Sequence, residues 1–252
     1  MVKVIMHGCN GKMGRIITRL IEGMEDVEIV AGIDALDSVV VNTYPVYRNI
    51  NLCGVKADVI IDFAVAGALD MLLDYALTNK TPIVLCTTGL NDEQIKRVED
   101  ASKKIPILRS ANMSLGINLL IKLVKDAARS LEPAGFDIEL VEKHHNQKLD
   151  APSGTALALA DSINQELGNK YNYVYDRSQR RQARDSKEIG ISAVRGGTIV
   201  GDHDVIFAGE DEVITISHSA YSRAVFGKGA IAAAKFLAGK EPGLYTMSDV
   251  IG

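Results

Sequence analysis

Residues 1–110 alternate short, β-branched apolar runs with segments whose apolar residues recur at helical spacing. The predicted strands are Val2–Met6, Glu28–Ile33, Val59–Phe63, Ile83–Cys86 and Ile105–Leu108. The predicted helices are Lys12–Gly23, Ala66–Leu77 and Glu93–Ser102, the last capped by Asp92. Uninterrupted apolar strands that alternate with helices are typical of a parallel sheet covered on both faces. We therefore predict a doubly wound α/β domain.

The pattern changes after the fifth predicted strand. The predicted helices of this part are Asn118–Leu131, Thr155–Leu167 and Val225–Leu237. The predicted strands are Asp137–Val141, Ile189–Val194, Val205–Ala208 and Val213–His218. Residues 168–188 are polar and basic, and we predict a solvated loop at Arg177–Lys187, with nucleic-acid binding as the alternative. Consecutive strands with few helical signals between them indicate a mixed or antiparallel sheet, and so a second domain of α+β type.

Three glycines, Gly8, Gly11 and Gly14, lie between the first predicted strand and the first predicted helix. Glycines at such a turn let the backbone approach a pyrophosphate, which binds at the helix N-terminus. Asp34 ends the second predicted strand about 20 residues later, where a carboxylate suits ribose hydroxyls. Met13 stands where a P-loop requires Ser or Thr. The pattern favours a Rossmann-like dinucleotide site, and a tight turn without a nucleotide is the alternative.

Asp34 also bears on which nicotinamide cofactor is used. A carboxylate at this position suits a free 2′-hydroxyl and repels a 2′-phosphate. The residues that follow, Ala35, Leu36 and Asp37, include no arginine for that phosphate, and Lys12 is the one nearby cation that could help. We therefore expect NADH or NADPH with a preference for NADH.

The segment Glu142–Ala156 places His144, His145 and Lys148 just ahead of a predicted helix start. A histidine can donate a proton at neutral pH, and the lysine adds a fixed positive charge and a second donor. Neighbours on a strand point to opposite sides, and no Cys or His lies at metal-ligand spacing. We therefore predict an acid catalyst, with a metal site or a purely structural role as alternatives.

The residues directly after this cationic group are suited to an anion. Ser153, Gly154 and Thr155 offer hydroxyls and backbone N–H groups at the predicted helix start. The segment as a whole therefore predicts a pocket for a small acidic molecule.

Composition removes several classes of partner. The chain of 252 residues has 28 basic and 32 acidic residues and a net charge of −4, which argues against nucleic acid. No apolar run approaches the ~20 residues of a membrane helix, and the N-terminus does not have the pattern of a signal peptide. Cys9, Cys53 and Cys86 lack zinc-ligand spacing. We expect a reduced, soluble, cytoplasmic protein without a metal.

The segment Glu142–Ala156 closely resembles the motif of the dihydrodipicolinate reductase family, also called 4-hydroxy-tetrahydrodipicolinate reductases. The resemblance extends over the whole chain. It includes Gly8–Gly14, Asp62–Phe63, Thr87–Gly89, Asn112–Asn118, Val194–Gly197, Gly201–His203 and His218–Arg223. It implies NAD(P)H-dependent reduction of a small cyclic imine dicarboxylate in the diaminopimelate route to lysine.

The resemblance also implies the role of each site residue. His144 takes the place of the catalytic acid and Lys148 that of a second proton donor, while His145, Ser153, Gly154 and Thr155 fall on substrate positions. The implied cofactor positions are Gly8, Cys9, Asn10, Gly11, Lys12, Met13, Asp34, Cys86, Thr87, Thr88, Ser110, Ala111, Asn112 and Met113. The chain departs from the family pattern at Lys12, Ala64, Cys86 and Met113, all around the cofactor.

The domain plan implied by the resemblance has three segments. Residues 1–115 form the dinucleotide-binding domain, residues 116–223 form the substrate-binding domain that assembles a homotetramer, and residues 224–252 return to the first domain.

Two other functions are compatible with the glycine turn. One is another two-domain nicotinamide-dependent dehydrogenase of amino or sugar acids, and the other is a non-catalytic nucleotide-binding sensor. Neither requires the His-His-x-x-Lys segment.

Cys9 and Cys86 both follow predicted strands at the cofactor edge of the sheet. Alkylation of these thiols is therefore expected to slow the enzyme, with bound NADH protecting it. The alternative is that both are inert small residues.

Overall fold

The computed structural model describes residues 1–36, 41–110 and 112–252. The strands are β1 (Val2–His7), β2 (Val27–Ile33), β3 (Val46–Tyr47), β4 (Val59–Asp62), β5 (Ile83–Leu85), β6 (Pro106–Arg109), β7 (Asp137–His144), β8 (Asn172–Val174), β9 (Glu188–Arg195), β10 (Gly201–Ala208), β11 (Val213–Ala220) and β12 (Gly243–Tyr245). The helices are α1 (Lys12–Ile21), α2 (Leu69–Asn79), α3 (Asp92–Ser102), α4 (Leu115–Leu131), α5 (Gly154–Glu166), α6 (Ala224–Leu237) and α7 (Met247–Ile251). They form two compact units, Met1–Leu115 with Arg223–Gly252, and Gly116–Ser222.

The first unit is built on a seven-stranded sheet of order β12-β6-β5-β4-β1-β2-β3 in which every described pair is parallel. The middle of β4 is fully buried because helices cover both faces of the sheet. On one face α1 and α6 pack over the sheet, and on the other face α2 and α3 do so. The predicted doubly wound parallel sheet is confirmed.

The second unit contains a five-stranded sheet of order β11-β10-β7-β9-β8. β10 runs antiparallel to β7 and β11, whereas β7 and β8 run parallel to β9, so the predicted mixed sheet is also confirmed. Alternate residues of β7 are buried, and Ile138 and Leu140 pack in one core with α4 and α5. Glu142 and His144 continue this buried series toward the end of the strand. The face that is apolar near the start of β7 therefore becomes polar at its end.

Several local predictions differ from the structure. Asn91, not Asp92, caps α3, because its side chain accepts the N–H of Gln94 (2.8 Å) while Gln94 Oε1 accepts the N–H of Asn91 (3.1 Å). The first turn from Ala66 is a 3-10 helix, and α2 follows it. The sequence analysis did not predict β3, β12 or α7, which are too short to show a periodic pattern.

The run Arg177–Lys187 contains no strand or helix and is exposed except at Arg177 and Arg184, which are half-buried, as a solvated loop would be. Its arginines bind carboxylates of the sheet: Arg177 binds Glu139 and Glu188, and Arg184 binds Asp137 and Glu139. These ion pairs hold the run against β7 and β9. The short strand β8, which precedes this run, was not predicted. Among the described residues, no helix combines the length and apolarity needed to span a membrane.

Candidate active site

The turn after β1 leaves no room for a Cβ at two of its glycines, Gly8 and Gly14. Gly8 has a φ of +80°, and a Cβ there would lie 2.7 Å from the Phe63 carbonyl oxygen. A Cβ on Gly14 would lie 2.2 Å from the Gly8 carbonyl oxygen. Gly11 is the N-cap of α1, where no side chain forms a capping bond and no acidic residue lies in the first turn. This helix N-terminus fits an anionic group such as a pyrophosphate.

A cavity of about 590 Å³ opens beside this turn within the first unit. It is lined in part by Gly8, Gly11, Asp34 and Phe63. Asp34 is held at the end of β2 because its two carboxylate oxygens accept the backbone N–H groups of Asn10 (2.9 Å) and Leu36 (3.0 Å). The carboxylate retains lone pairs for a further donor such as a ribose hydroxyl. The free N–H groups at the start of α1, the Asp34 carboxylate and the volume of the cavity together fit a dinucleotide.

Arg48 lines the same cavity and was not predicted from the sequence. It follows β3, where Tyr47 pairs with Ile33 and its carbonyl accepts the N–H of Asp34 (3.0 Å). The pairing brings Arg48 beside the end of β2. The prediction that Lys12 is the one nearby cation was therefore wrong. The short run Val46–Tyr47 before Arg48 was the available signal, but two residues do not distinguish a strand from a loop.

The other predicted cofactor residues of this unit follow the carboxyl ends of parallel strands. Cys86, Thr87 and Thr88 follow β5, and Ser110, Asn112 and Met113 follow β6, while Ala111 lies outside the described residues. In doubly wound sheets, ligands bind at this edge. Thr87 itself is buried and donates to Asp62 (2.6 Å), whose other oxygen lies 2.7 Å from His7 Nδ1.

The placements of Cys9, Met13, Met113 and Thr88 differ in exposure. The side chain of Cys9 is fully buried, so only its backbone can contact a cofactor, and Met113 is also buried in the core. Met13 is half-buried, whereas Lys12 and Thr88 are exposed.

Two of the three thiols of this unit, those of Cys9 and Cys86, are held in the protonated form. Burial, with a smaller contribution from Asp34, raises the pKa of Cys9 to about 12. Burial and then the charge of Asp62 raise the pKa of Cys86 well above its usual value. Because the thiolate is the reactive form, these environments oppose the predicted sensitivity to alkylation and favour inert residues.

In the second unit, a buried carboxylate organises the end of β7. Arg195 donates to Glu142 Oε1 from Nη2 (2.7 Å) and to Oε2 from Nη1 (2.8 Å). The N–H of Ser153 donates to Oε1 (3.0 Å), and His144 Nδ1 lies 2.6 Å from Oε2. Burial alone would raise the pKa of Glu142, but the hydrogen bonds from Arg195, His144 and Ser153 outweigh it and lower that pKa.

His144 is also contacted on its other sides. The ring of His203 packs against it edge-on, with 5.2 Å between centroids and an interplanar angle of 77°. A Cβ on Gly201 would lie only 3.0 Å from His144 Nε2. Desolvation of His203, with a smaller effect from His144, lowers the pKa of His203 to about 4, so His203 is neutral at neutral pH. The structure therefore brings His144 and Ser153 together with Glu142, Arg195 and His203, none of which was predicted as a site residue.

The remaining predicted residues lie in the loop after β7 and at the start of α5. Lys148 Nζ forms an ion pair with Asp150 Oδ1 (2.8 Å), and its backbone N–H donates to the carbonyl of His145 (3.2 Å). The hydrogen bond from Lys148 lowers the pKa of Asp150, and the N–H of Gly154 acts in the same direction. A carboxylate of the chain itself therefore lies at Lys148 and at the N-terminus of α5.

Ser153 and Thr155 contribute differently to this helix start. Ser153 is buried and is the N-cap of α5, because its Oγ accepts the N–H of Ala156 (3.2 Å) and lies 3.2 Å from His203 Nε2. Thr155 is half-buried in the first turn, and Gly154 is exposed. Ser153 therefore has a structural role beside any contact with a ligand.

Both halves of the chain match models of a single family. Residues 2–113 match the N-terminal model of dihydrodipicolinate reductase, and residues 116–251 match the C-terminal model. The chain belongs to the dihydrodipicolinate reductase family. It is therefore a member of a family of nicotinamide-dependent oxidoreductases with a Rossmann-like fold.

Individual members of the dihydrodipicolinate reductase family are similar over the full length. The chain is 58% identical to the 4-hydroxy-tetrahydrodipicolinate reductase of Caldanaerobacter subterraneus subsp. tengcongensis, covering 100% of this chain and 98% of the relative. It is 50% identical to the enzyme of the same name from Clostridium tetani, covering 100% and 97%. A dipicolinate-bound dihydrodipicolinate reductase from Paenisporosarcina sp. TG-14 matches with a TM-score of 0.82 and 26% identity, covering 98% and 97%.

Proposed function

We propose that the chain reduces 4-hydroxy-tetrahydrodipicolinate, by way of dihydrodipicolinate, to tetrahydrodipicolinate in the diaminopimelate route to lysine. The observation that carries this proposal is the cluster of Glu142, His144 and Arg195 at the end of β7. It holds an imidazole rigidly near the start of a helix whose N–H groups suit a carboxylate. A non-catalytic sensor has no use for such an acid.

His144 is the proton donor in this proposal, and Lys148 is a second donor. The bound nicotinamide supplies the hydride. Reduction of a conjugated imine places negative charge on the ring system, and a positioned acid lowers the barrier by delivering a proton as that charge develops. His145, Ser153, Gly154 and Thr155 bind the carboxylates of the substrate. Ser153 can do so through a donated O–H while its Oγ remains the cap of α5.

In the first unit, we propose that Gly8–Met13 and Asp34 hold the dinucleotide, together with residues 86–88 and 110–113. Asp34 favours a free 2′-hydroxyl, which supports a preference for NADH. Arg48 lines the same cavity and can bind a 2′-phosphate, so NADPH is also accepted.

Replacing Arg48 by Ala should weaken NADPH binding by about tenfold, the size of one lost charged hydrogen bond, and leave NADH binding within twofold. Equal effects on both Kd values would contradict this role.

The assembly and location are also proposals. We propose a cytoplasmic homotetramer in which the five-stranded sheet of the second unit joins subunits. Among the described residues, β11 is an edge strand of that sheet, and Val213 is 62% exposed on it. Sedimentation equilibrium tests the assembly, and a monomer at micromolar concentration would contradict it.

Turnover is tested by following loss of NADH or NADPH absorbance with substrate made in situ by the preceding synthase. Activity that requires the synthase product supports the proposal, whereas oxidation of amino or sugar acids would indicate the other dehydrogenase class. His144→Gln should lower kcat steeply with a modest change in KM. Lys148→Ala should lower kcat and also weaken substrate binding, which raises KM. A His144→Gln variant with near-native kcat would show that the acid is another residue.

A further inference from the structure

Glu142 is a fully buried carboxylate, and both of its oxygens accept hydrogen bonds, from Arg195 and from the N–H of Ser153. Its lowered pKa means that it carries a negative charge at neutral pH. An ionised carboxylate can only accept hydrogen bonds, so Nδ1 of His144, 2.6 Å away, must carry a hydrogen. The other ring nitrogen, Nε2, is then the one that gains and loses a proton.

The neighbours of the His144 ring oppose a flip that would exchange its two nitrogens. Nε2 lies next to Gly201, and the ring of His203 packs against the side of the imidazole. The carboxylate is itself immobilised, because the guanidinium of Arg195 forms two parallel bonds to it. Such bidentate pairs add geometric specificity as well as energy.

We propose that Glu142, held by Arg195, is a positioning residue that fixes His144 in the Nδ1–H tautomer and directs its transferable proton through Nε2. Glu142 touches neither substrate nor cofactor in this proposal and acts only through the imidazole. The proposal rests on the proposed function in one respect, since it takes His144 to be the proton donor of that reaction.

Arg195 has a second effect besides geometry. A lone carboxylate beside an imidazole stabilises the imidazolium and makes it a poorer acid, whereas the guanidinium balances that charge. Replacing Glu142 by Gln removes the negative charge and should move the alkaline fall of the kcat profile to lower pH. Replacing Arg195 by a neutral residue should move it to higher pH.

The other titratable groups around His144 do not account for these shifts of the kcat profile with pH. His203 on β10 is neutral in the assay range because its pKa is about 4. Burial also lowers the pKa of His218, which pairs with His203 from β11. Lys148 and Asp150 lie in the loop after β7 and are paired with each other.

The test compares Glu142→Gln with Glu139→Gln. Glu139 lies on the same strand and is also paired with arginines, Arg177 and Arg184, but these bonds are remote from the imidazole. Nitrogen NMR of histidine-labelled protein reports the His144 tautomer, and coupled kinetics report kcat and KM. We expect Glu142→Gln to lose the single Nδ1–H tautomer and about 100-fold in kcat with KM changed little, since orienting carboxylates can be worth up to ~10⁴-fold. Glu139→Gln should retain both.

Arg195→Lys provides a second variant if Glu142→Gln does not fold. It keeps the positive charge and the carboxylate but loses the two-pronged grip, so we expect the tautomer to persist and kcat to fall by about tenfold. Two results in folded Glu142→Gln would overturn the proposal: a native kcat although the tautomer is mixed, or an unchanged tautomer with an unchanged kcat. If only Arg195→Lys folds, a native kcat in that variant would overturn it. The NMR result does not depend on the substrate, so failure of wild-type turnover would refute the proposed function separately.

Discussion

Gly201→Ala places a methyl group directly against the nitrogen that we assign as the proton donor. Its Cβ would lie 3.0 Å from His144 Nε2 and 3.4 Å from Cδ2. Contacts between non-bonded heavy atoms are optimal near 3.5–4.0 Å, so the ring must retreat by roughly 0.5 Å. It cannot retreat freely, because Nδ1 already lies 2.6 Å from Glu142 and His203 packs on the ring.

A shift of this size matters to catalysis more than to folding. Catalytic groups need placement within about 0.5 Å, and a misplacement of about 1 Å can cost ~100-fold. We therefore expect kcat to fall about tenfold, or ~1.4 kcal/mol in barrier, with KM nearly unchanged. Overpacking should lower the free energy of unfolding by about 1–3 kcal/mol, which leaves the enzyme folded at room temperature.

The assay is initial-rate kinetics with substrate from the coupled synthase, after circular dichroism has shown that the variant is folded. Gly196→Ala is the matched control, because a Cβ there meets nothing within 4 Å and the backbone N–H that donates to the His144 carbonyl (2.9 Å) is retained. A folded Gly201→Ala enzyme with kcat within twofold of wild type would refute the assignment of Nε2 as the donating atom.

Three further predictions concern charge and ionisation. The pKa of His203 is about 4 in the folded protein and near 6.5 when unfolded, so the free energy of unfolding should fall by about 3 kcal/mol as the pH drops from 6.5 to 4. Thermal unfolding measures this fall, which should be smaller in His203→Gln. Iodoacetamide at neutral pH should leave activity intact, since the pKa values of Cys9 and Cys86 are raised; inactivation that NADH prevents would contradict this. Asp150→Asn should lower the KM for the proposed substrate by up to about fivefold in the coupled assay, because Lys148 loses a competing carboxylate worth up to ~1 kcal/mol; a higher KM would show that Asp150 instead positions Lys148.

The sequence was sufficient for the layers of the fold because long elements have a clear period. The apolar runs of β1, β4 and β5 and the helical spacing of α4 and α6 are all predicted to within a few residues. Elements of two or three residues, such as β3 and β12, have no period to detect. They form because a neighbouring strand of the sheet offers backbone partners, which is a property of tertiary structure.

The candidate site divides in the same way. Gly8, Gly14 and the His-His-x-x-Lys segment have local spacings that carry their chemistry. Arg48 and Arg195 do not, because each reaches its place through strand pairing, Tyr47 with Ile33 and Arg195 with His144. Single charged residues far apart in the chain give no signal of such proximity before the sheet is known.

The parallel pairing of β12 with β6 has a consequence for synthesis on the ribosome. About 130 residues separate these strands, which a ribosome adding 5–20 residues per second needs roughly 7–26 s to translate. During that interval the sheet face that α1 covers lacks Ile231, Ala234 and Leu237 of α6, which complete its core. Residues 116–222, by contrast, are contiguous and can acquire their contacts first. The nascent chain therefore exposes an apolar sheet face until residues 224–237 have emerged, and chaperones that bind exposed apolar surface are expected to act there.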